Sequence, residues 1–195
     1  MQCLVLPELH ITSCSNGLKQ FARFLQRNAK NQANHFSPLA KRYVSRKVLV
    51  QIGLQSKTQV KKGVIESYWF ENETIGLSKT LFHRITLPLE EFDSGLDYDE
   101  QPTRTEIVLD WFELGLSDPS KLDGLNLSHS IYQEAEGSVY IGCAHNWCDV
   151  KELNVVKNKD GNFDVSGNIC VEFTNEGVGE NEEFTFTSCC EYVET

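Results

Sequence analysis

No apolar run in this 195-residue sequence approaches the ~20 residues that a bilayer-spanning helix requires, so no membrane association is expected. The opening MQCLVLPELHITSC has no cationic region ahead of its short apolar stretch, which Pro7 and Glu8 interrupt. It does not read as an export signal, and a cytoplasmic protein with reduced thiols is the expectation. A Walker A loop, a G-x-G-x-x-G fingerprint and a G-x-S-x-G elbow are all missing. That removes the common local signals for nucleotide binding and serine-hydrolase chemistry. The H-x-E and P-C-x-x-C pair of zinc deaminases is absent too. No repeat of fixed period and no low-complexity tract is found.

Acid is scarce in one part of the chain. Residues 1–65 hold eleven Lys or Arg and one acid, Glu8, while residues 66–195 hold seven Lys or Arg and 27 acids, so the formal charges are +10 and −20. Such asymmetry marks either an interaction surface or two parts that attract one another. The rest of the composition is ordinary for a soluble fold, with 40% hydrophobic and 24% charged residues. The length suits a single domain over 1–195 with a core stable without staples. Within it, residues 1–45 read as a basic helical segment and 46–195 as an acidic β body. The seven cysteines are odd in number, and Cys189 and Cys190 are neighbours whose side chains would point to opposite faces of a strand. A disulfide framework is not expected, and most of these thiols read as small buried hydrophobes.

From Ser15, the stretch SNGLKQFARFLQRNAKNQ predicts an amphipathic helix, with Leu18, Phe21, Ala22 and Leu25 at i, i+3, i+4 and i+7. Short strands follow. Residues 47–55 and 63–70 form a plausible hairpin, residues 79–89 another strand, and residues 104–114 alternate with Ile107, Leu109 and Trp111 on one face. Residues 137–145 and 149–158 are strand-like. Asp160-Gly161 signals a type I′ turn into residues 162–174, where Gly167 could mark a bulge. Phe184, Phe186, Cys190 and Tyr192 then share a face. The fold class predicted is α+β with β dominant: a mostly antiparallel sheet body, sandwich or open barrel, carrying an N-terminal helix.

The segment GSVYIGCAHNWCDV concentrates the candidate chemistry. Cys143, His145 and Cys148 give C-x-H-x-x-C, three ligand types for tetrahedral zinc, with Asp149, His129 or Cys170 as a fourth. A Cys–His nucleophile pair is the other catalytic reading. Both lack a second paired motif, and strand parity separates Cys148 from the others unless the chain turns at Asn146-Trp147. The favoured reading is structural: His145, Asn146 and Asp149 hold a turn between strands. The run NKDGNFD resembles part of a calcium loop, but Gly167 falls where the bidentate Glu belongs.

The same segment, followed by a strand, a hairpin and ICVEFTNEG…EFTFT, resembles a group of small uncharacterised bacterial proteins. Their pattern runs Gly-Ser-Ile-Tyr, then Ala-His-Asn-Pro-Val-Asp-Val. The likeness covers residues 137–187, with Ser138, Tyr140, Ala144, His145, Asn146 and Asp149 matching and Trp147-Cys148 replacing Pro-Val. The resemblance implies that the cysteines lie outside the shared pattern, and it implies no activity.

Acidic side chains cluster in two loops: Glu90, Glu91, Asp93, Asp97, Asp99 and Glu100, and Glu176, Glu180, Glu182 and Glu183. Opposite potentials speed encounter with a basic partner and help select it. The functional expectation is therefore a non-catalytic acidic binding protein, a bacterial immunity protein neutralising a basic toxin among the candidates. It would use no cofactor, with Trp69, Trp111 or Trp147 as anchors. The first alternative is a zinc- or thiol-dependent enzyme centred on Cys143, His145 and Cys148. The second is nucleic-acid binding through the basic N-terminal segment, where Phe21, Phe24, His35 and Tyr43 lie among Lys and Arg.

Overall fold

Residues of alternating polarity between Gly63 and Glu194 build eight strands, and seven of them close on themselves. The computed structural model describes residues 50–194. The helix expected from Ser15 and the basic segment 1–45 lie outside the described residues. Those described fall in two units, Glu71–Lys79 in one, and 50–70 with 80–194 in the other. The elements in chain order are α1 (Leu54–Lys57), β1 (Gly63–Asn72), a short 3-10 turn (Glu73–Ile75), β2 (Leu77–Pro88), β3 (Glu106–Phe112) and β4 (Leu125–Asn126). These are followed by β5 (Glu136–Ile141), β6 (Ala144–Lys157), β7 (Phe163–Val171), α2 (Phe173–Glu176) and β8 (Glu182–Glu194).

The strand order is β6-β5-β3-β2-β1-β8-β7, and β7 pairs back onto β6, so the ring is a closed seven-stranded barrel; β4 adds to β6 at its side. Only β1–β8 is parallel among the registered pairs, with Gly63 opposite Cys190 and Ser67 opposite Glu194. Closure leaves few unpaired strand edges, which is how an all-β body avoids edge-to-edge association. β7 and β8 show why these residues form strands. Phe163, Val165, Gly167, Ile169 and Val171 are buried, as are Phe184, Phe186, Ser188 and Cys190, while the residues between them face outward. The interior is completed by Ile65, Ile85, Leu87, Ile107, Leu109, Val139, Ile141, Cys148, Val150, Leu153 and Val155. Fully burying each large side chain contributes about 1.5–3 kcal/mol.

Several local expectations are corrected. The segment at 47–55 is no strand over its described part: Gly53 is left-handed (φ 76°) and Leu54–Lys57 form a helical turn. β1 pairs instead with β2 and β8. In β3, one residue of β2, Arg84, opposes two of β3, Asp110 and Trp111, because the register passes from His83↔Phe112 to Ile85↔Leu109. This bulge reverses the parity, so Phe112 is buried and Trp111 lies outside with Asp110. The bulge in β6–β7 falls at Lys151, between Val150↔Ile169 and Glu152↔Asn168, not at Gly167. Gly167 serves close approach instead: a Cβ there would lie 2.6 Å from the Glu152 carbonyl oxygen and 2.9 Å from the Phe186 ring.

The turns differ as well. Lys157 pairs with Phe163, so residues 158–162 form a five-residue loop rather than a two-residue type I′ turn. The Asn158 side-chain oxygen accepts from the amides of Asp160 and Asn162, and only Gly161 in the loop has positive φ. The tight turn is between β5 and β6. Ile141 pairs with Ala144, and Gly142 (φ 66°) and Cys143 (φ 59°) make both central residues left-handed, the requirement of a type I′ turn.

Candidate functional site

Antiparallel succession puts the β2–β3 loop, the β5–β6 turn and the β7–β8 connection at one end of the barrel. Those are the segments carrying the two acidic runs. The β2–β3 loop is held at its neck by Leu89 N–H to Thr105 O (3.0 Å) and by reciprocal Phe92–Thr103 bonds (3.3 and 2.8 Å). Phe92 and Leu96 insert their side chains, and Gln101 ties the loop internally, accepting from Ser94 N–H (3.0 Å) and donating to Ser94 Oγ (2.6 Å). With its apolar residues turned in, the loop presents Glu90, Glu91, Asp93, Asp97 and Glu100 outward; Asp99 is half-buried.

Asp99 Oδ2 accepts from Gly142 N–H (2.8 Å), which fixes the loop onto the β5–β6 turn. The β7–β8 connection reaches the same point. A Cβ built on Gly142 would lie 2.7 Å from Val178 Cγ1, 3.1 Å from Leu96 Cδ1 and 3.2 Å from the Tyr98 hydroxyl. Glycine at this position lets both loops close on the turn. In the β7–β8 connection, Asn181 Oδ1 accepts from the amide and hydroxyl of Thr174, and Val178 N–H donates to Phe173 O. Glu176, Glu180 and Glu183 are exposed. Glu182 is not: its carboxylate accepts from Gly53 N–H (2.8 and 2.9 Å) and Leu54 N–H (2.8 Å), closing the start of α1. That places it outside the surface set in which the sequence had grouped it. Cations near these acids include Arg104, 2.9 Å from Glu91 with both side chains exposed, Lys57 beside Gly95, and Lys151, on which Glu183 acts.

The residues of GSVYIGCAHNWCDV are not brought together. Cys143 is exposed at the turn, its Sγ 3.8 Å from Asp99 Oδ1. His145 is exposed on β6, its ring edge-on to Tyr140 at 4.9 Å between centroids. Cys148 is inside the barrel, where burial pushes its thiol far up. Burial also raises Cys170, with Glu183 adding to the effect, and pushes Cys190 up to about 11. None of these three is an activated nucleophile. No group of three or more His, Cys, Asp or Glu among the described residues is placed to hold a metal ion. Asn146 is the residue that secures the hairpin: wholly buried, its Nδ2 donates to the carbonyls of Val139, Ile141 and Ala144 (3.3, 2.9 and 3.0 Å), while Oδ1 has no partner.

Asp149 belongs to a different group, with His129 and Lys151. Its Oδ1 is 3.2 Å from His129 Nδ1, and it pairs with Lys151. Val150 N–H donates to the same Nδ1 at 3.1 Å, and both bonds cannot hold, since one requires a bare nitrogen and the other a protonated one. Burial lowers the His129 pKa and outweighs the opposing pull of Asp149, so the neutral ring accepting from Val150 is the assignment that fits. His129 N–H also donates to Val150 O (3.0 Å), so this residue binds the backbone of β6 beside its bulge.

A second polar group, which no spacing rule in the sequence signals, lies on the outer face of β1, β2, β3 and β5. Asp110 accepts from Tyr68 Oη (2.6 Å), Trp111 N–H (2.7 Å) and Arg84 Nε (2.7 Å), and its Oδ2 pairs with Arg84 Nη2 at 2.7 Å. Arg84 also donates to Glu66 (3.0 Å) and stacks over the Tyr68 ring at 4.8 Å. Glu136 sits opposite Asp110, and burial, then the Asp110 charge, raise its carboxyl pKa. Of the tryptophans considered as anchors, Trp69 is exposed, Trp111 packs edge-on to Phe70 and Phe82, and Trp147 lies against the His129 ring.

No family model, curated protein or solved structure matches this chain. No helix among the described residues is long and apolar enough to cross a membrane.

Proposed function

We propose that the chain is a non-catalytic binding protein whose acidic barrel end engages a basic protein, acting as an immunity protein against a cationic toxin. The observation that carries this reading is the approach of loops 90–100 and 176–183 to Gly142, through Leu96, Tyr98, Asp99 and Val178, since these two distant segments together carry eight exposed carboxylates. Such a predominantly acidic surface raises the encounter rate with an oppositely charged partner and falls in effect as salt rises. The partner-binding residues are Glu90, Glu91, Asp93, Asp97, Asp99, Glu100, Glu176, Glu180 and Glu183. The dispersal of Cys143, His145 and Cys148 gives the zinc or thiol reading no comparable support.

The test is co-expression with the toxin-like product of an adjacent reading frame. Wild-type protein should restore growth, and the triple variant Asp93→Lys, Asp97→Lys, Glu180→Lys should fail to while keeping its melting temperature. Equal protection by the triple variant would sink the proposal.

A further inference from the structure

Resting on that acidic-end reading, we infer that the surface is specific for an arginine-bearing segment, held by the exposed rings of Tyr98 and Tyr140. These rings are 56% and 48% exposed, although neighbouring apolar residues of the same segments, Leu96, Val139 and Ile141, are buried. Both tyrosines lie at the end of the barrel that carries the β5–β6 turn, Tyr98 in the β2–β3 loop and Tyr140 on β5. The Tyr98 hydroxyl lies 3.2 Å from where a Gly142 Cβ would stand, and Tyr140 precedes that glycine by two residues. The Tyr140 ring is braced edge-on by His145 at 4.9 Å, which restricts its rotation before any partner arrives. A pre-ordered aromatic side chain inside a charged rim is the arrangement that interface energetics favour, because little side-chain entropy remains to be lost.

Charge complementarity selects the occupant. Asp97 and Asp99 lie close enough to Tyr98 to act on its hydroxyl, Asp99 Oδ1 faces the Cys143 thiol, and no basic side chain of the described residues is within salt-bridge range of Asp97 or Glu100. Nucleic acid or an anionic membrane surface would be repelled here. A guanidinium meets both halves of the surface, since its flat face stacks on tyrosine while its edge donates to carboxylates. An ammonium is more strongly hydrated and offers no flat face, so arginine should be preferred over lysine.

Calorimetric titration of the full chain with an arginine octapeptide and a lysine octapeptide at low salt reads this directly. The arginine peptide should bind at least about five-fold more tightly. Tyr98→Ala with Tyr140→Ala should weaken it about ten-fold and erase the preference, and Tyr98→Phe with Tyr140→Phe should retain it. Equal binding of both peptides, untouched by the tyrosine variants but lost with Asp97→Lys and Glu180→Lys, would overturn the arginine inference and leave the acidic-end reading standing. Absence of binding by either peptide would overturn both.

Discussion

Asp110 accepts hydrogen bonds from the Tyr68 hydroxyl, the Arg84 guanidinium and one backbone amide, and it does so at a bulge whose second residue, Trp111, is left-handed at φ 63°. A non-glycine residue in that region costs about 1–2 kcal/mol, and the carboxylate that accepts the Trp111 N–H is positioned to offset it. Arg84 remains 36% exposed, so its ion pairs are partly screened and the larger effect comes from groups left unsatisfied. Asp110→Ala should therefore lose about 2 kcal/mol in urea unfolding, and Glu66→Ala, which removes one bond, less than about 1 kcal/mol. Equal losses would mean that Asp110 is no more central to the network than Glu66. This network escaped the sequence because strict alternation sends Trp111 inward. One inserted residue reverses every later side chain, and glycine, the usual marker of such a bulge, is replaced here by tryptophan.

Among the elements, α1 shows how an acid that looks like surface charge becomes structural. A four-residue helix has no intrahelical partner for its leading amides, and those of Gly53 and Leu54 are met by Glu182 from the start of β8, 128 residues away in sequence from Leu54. Glu182→Gln, with a neutral oxygen in place of the carboxylate, should lower hydrogen-exchange protection at Leu54 about ten-fold and leave amides in β6 and β7 unchanged. The growth-protection and peptide-binding readouts should not move, which separates Glu182 from the exposed acids. Uniform loss of protection throughout the barrel would instead mean that the cap holds the whole fold. β1, β7 and β8 were legible, since their burial keeps the period of two that the apolar residues announce; in β2 Phe82 and His83 are buried in succession, bulges break the period in β3 and β6, and β6 begins at Ala144 rather than at residue 149. Turn chemistry misled in both directions. Asp160-Gly161 lies in a five-residue loop ordered by Asn158, whereas the true type I′ turn is Gly142-Cys143, where the second left-handed residue has no sequence signal.

At the level of the whole molecule, the acidic runs could be read from composition but their convergence could not, because it depends on strand order and on β7 returning to β6 to close the ring. Two histidines are withdrawn from water in different places, His83 on β2 within the barrel wall and His129 in the loop after β4, packed on the outer face of β6. His83 faces inward with Nε2 3.0 Å from Pro119 O and Nδ1 unpartnered, and His129 sits against Trp147, facing Asp149 and Lys151. Burial lowers both pKa values below the usual 6.5, so each is neutral in the folded barrel and takes up a proton on unfolding. The unfolded state then binds more protons, and stability is full above the unfolded value and lost as pH falls from it toward the folded one. Each histidine contributes a slope of up to about 1.4 kcal/mol per pH unit in that window. Glu136 acts with the opposite sign: its raised pKa favours the fold below the usual carboxyl value of 4.5, and that contribution is lost as pH rises through the folded value. Comparing variants with the wild type at each pH cancels it. Between about pH 7.5 and 5.5 the wild type should lose stability in urea melts, and His83→Gln, which keeps a donor for Pro119 O, should reduce the slope by about half. His129→Gln should do the same and the double variant should flatten the profile; an unchanged slope in all three would show that neither ring is neutral in the folded state.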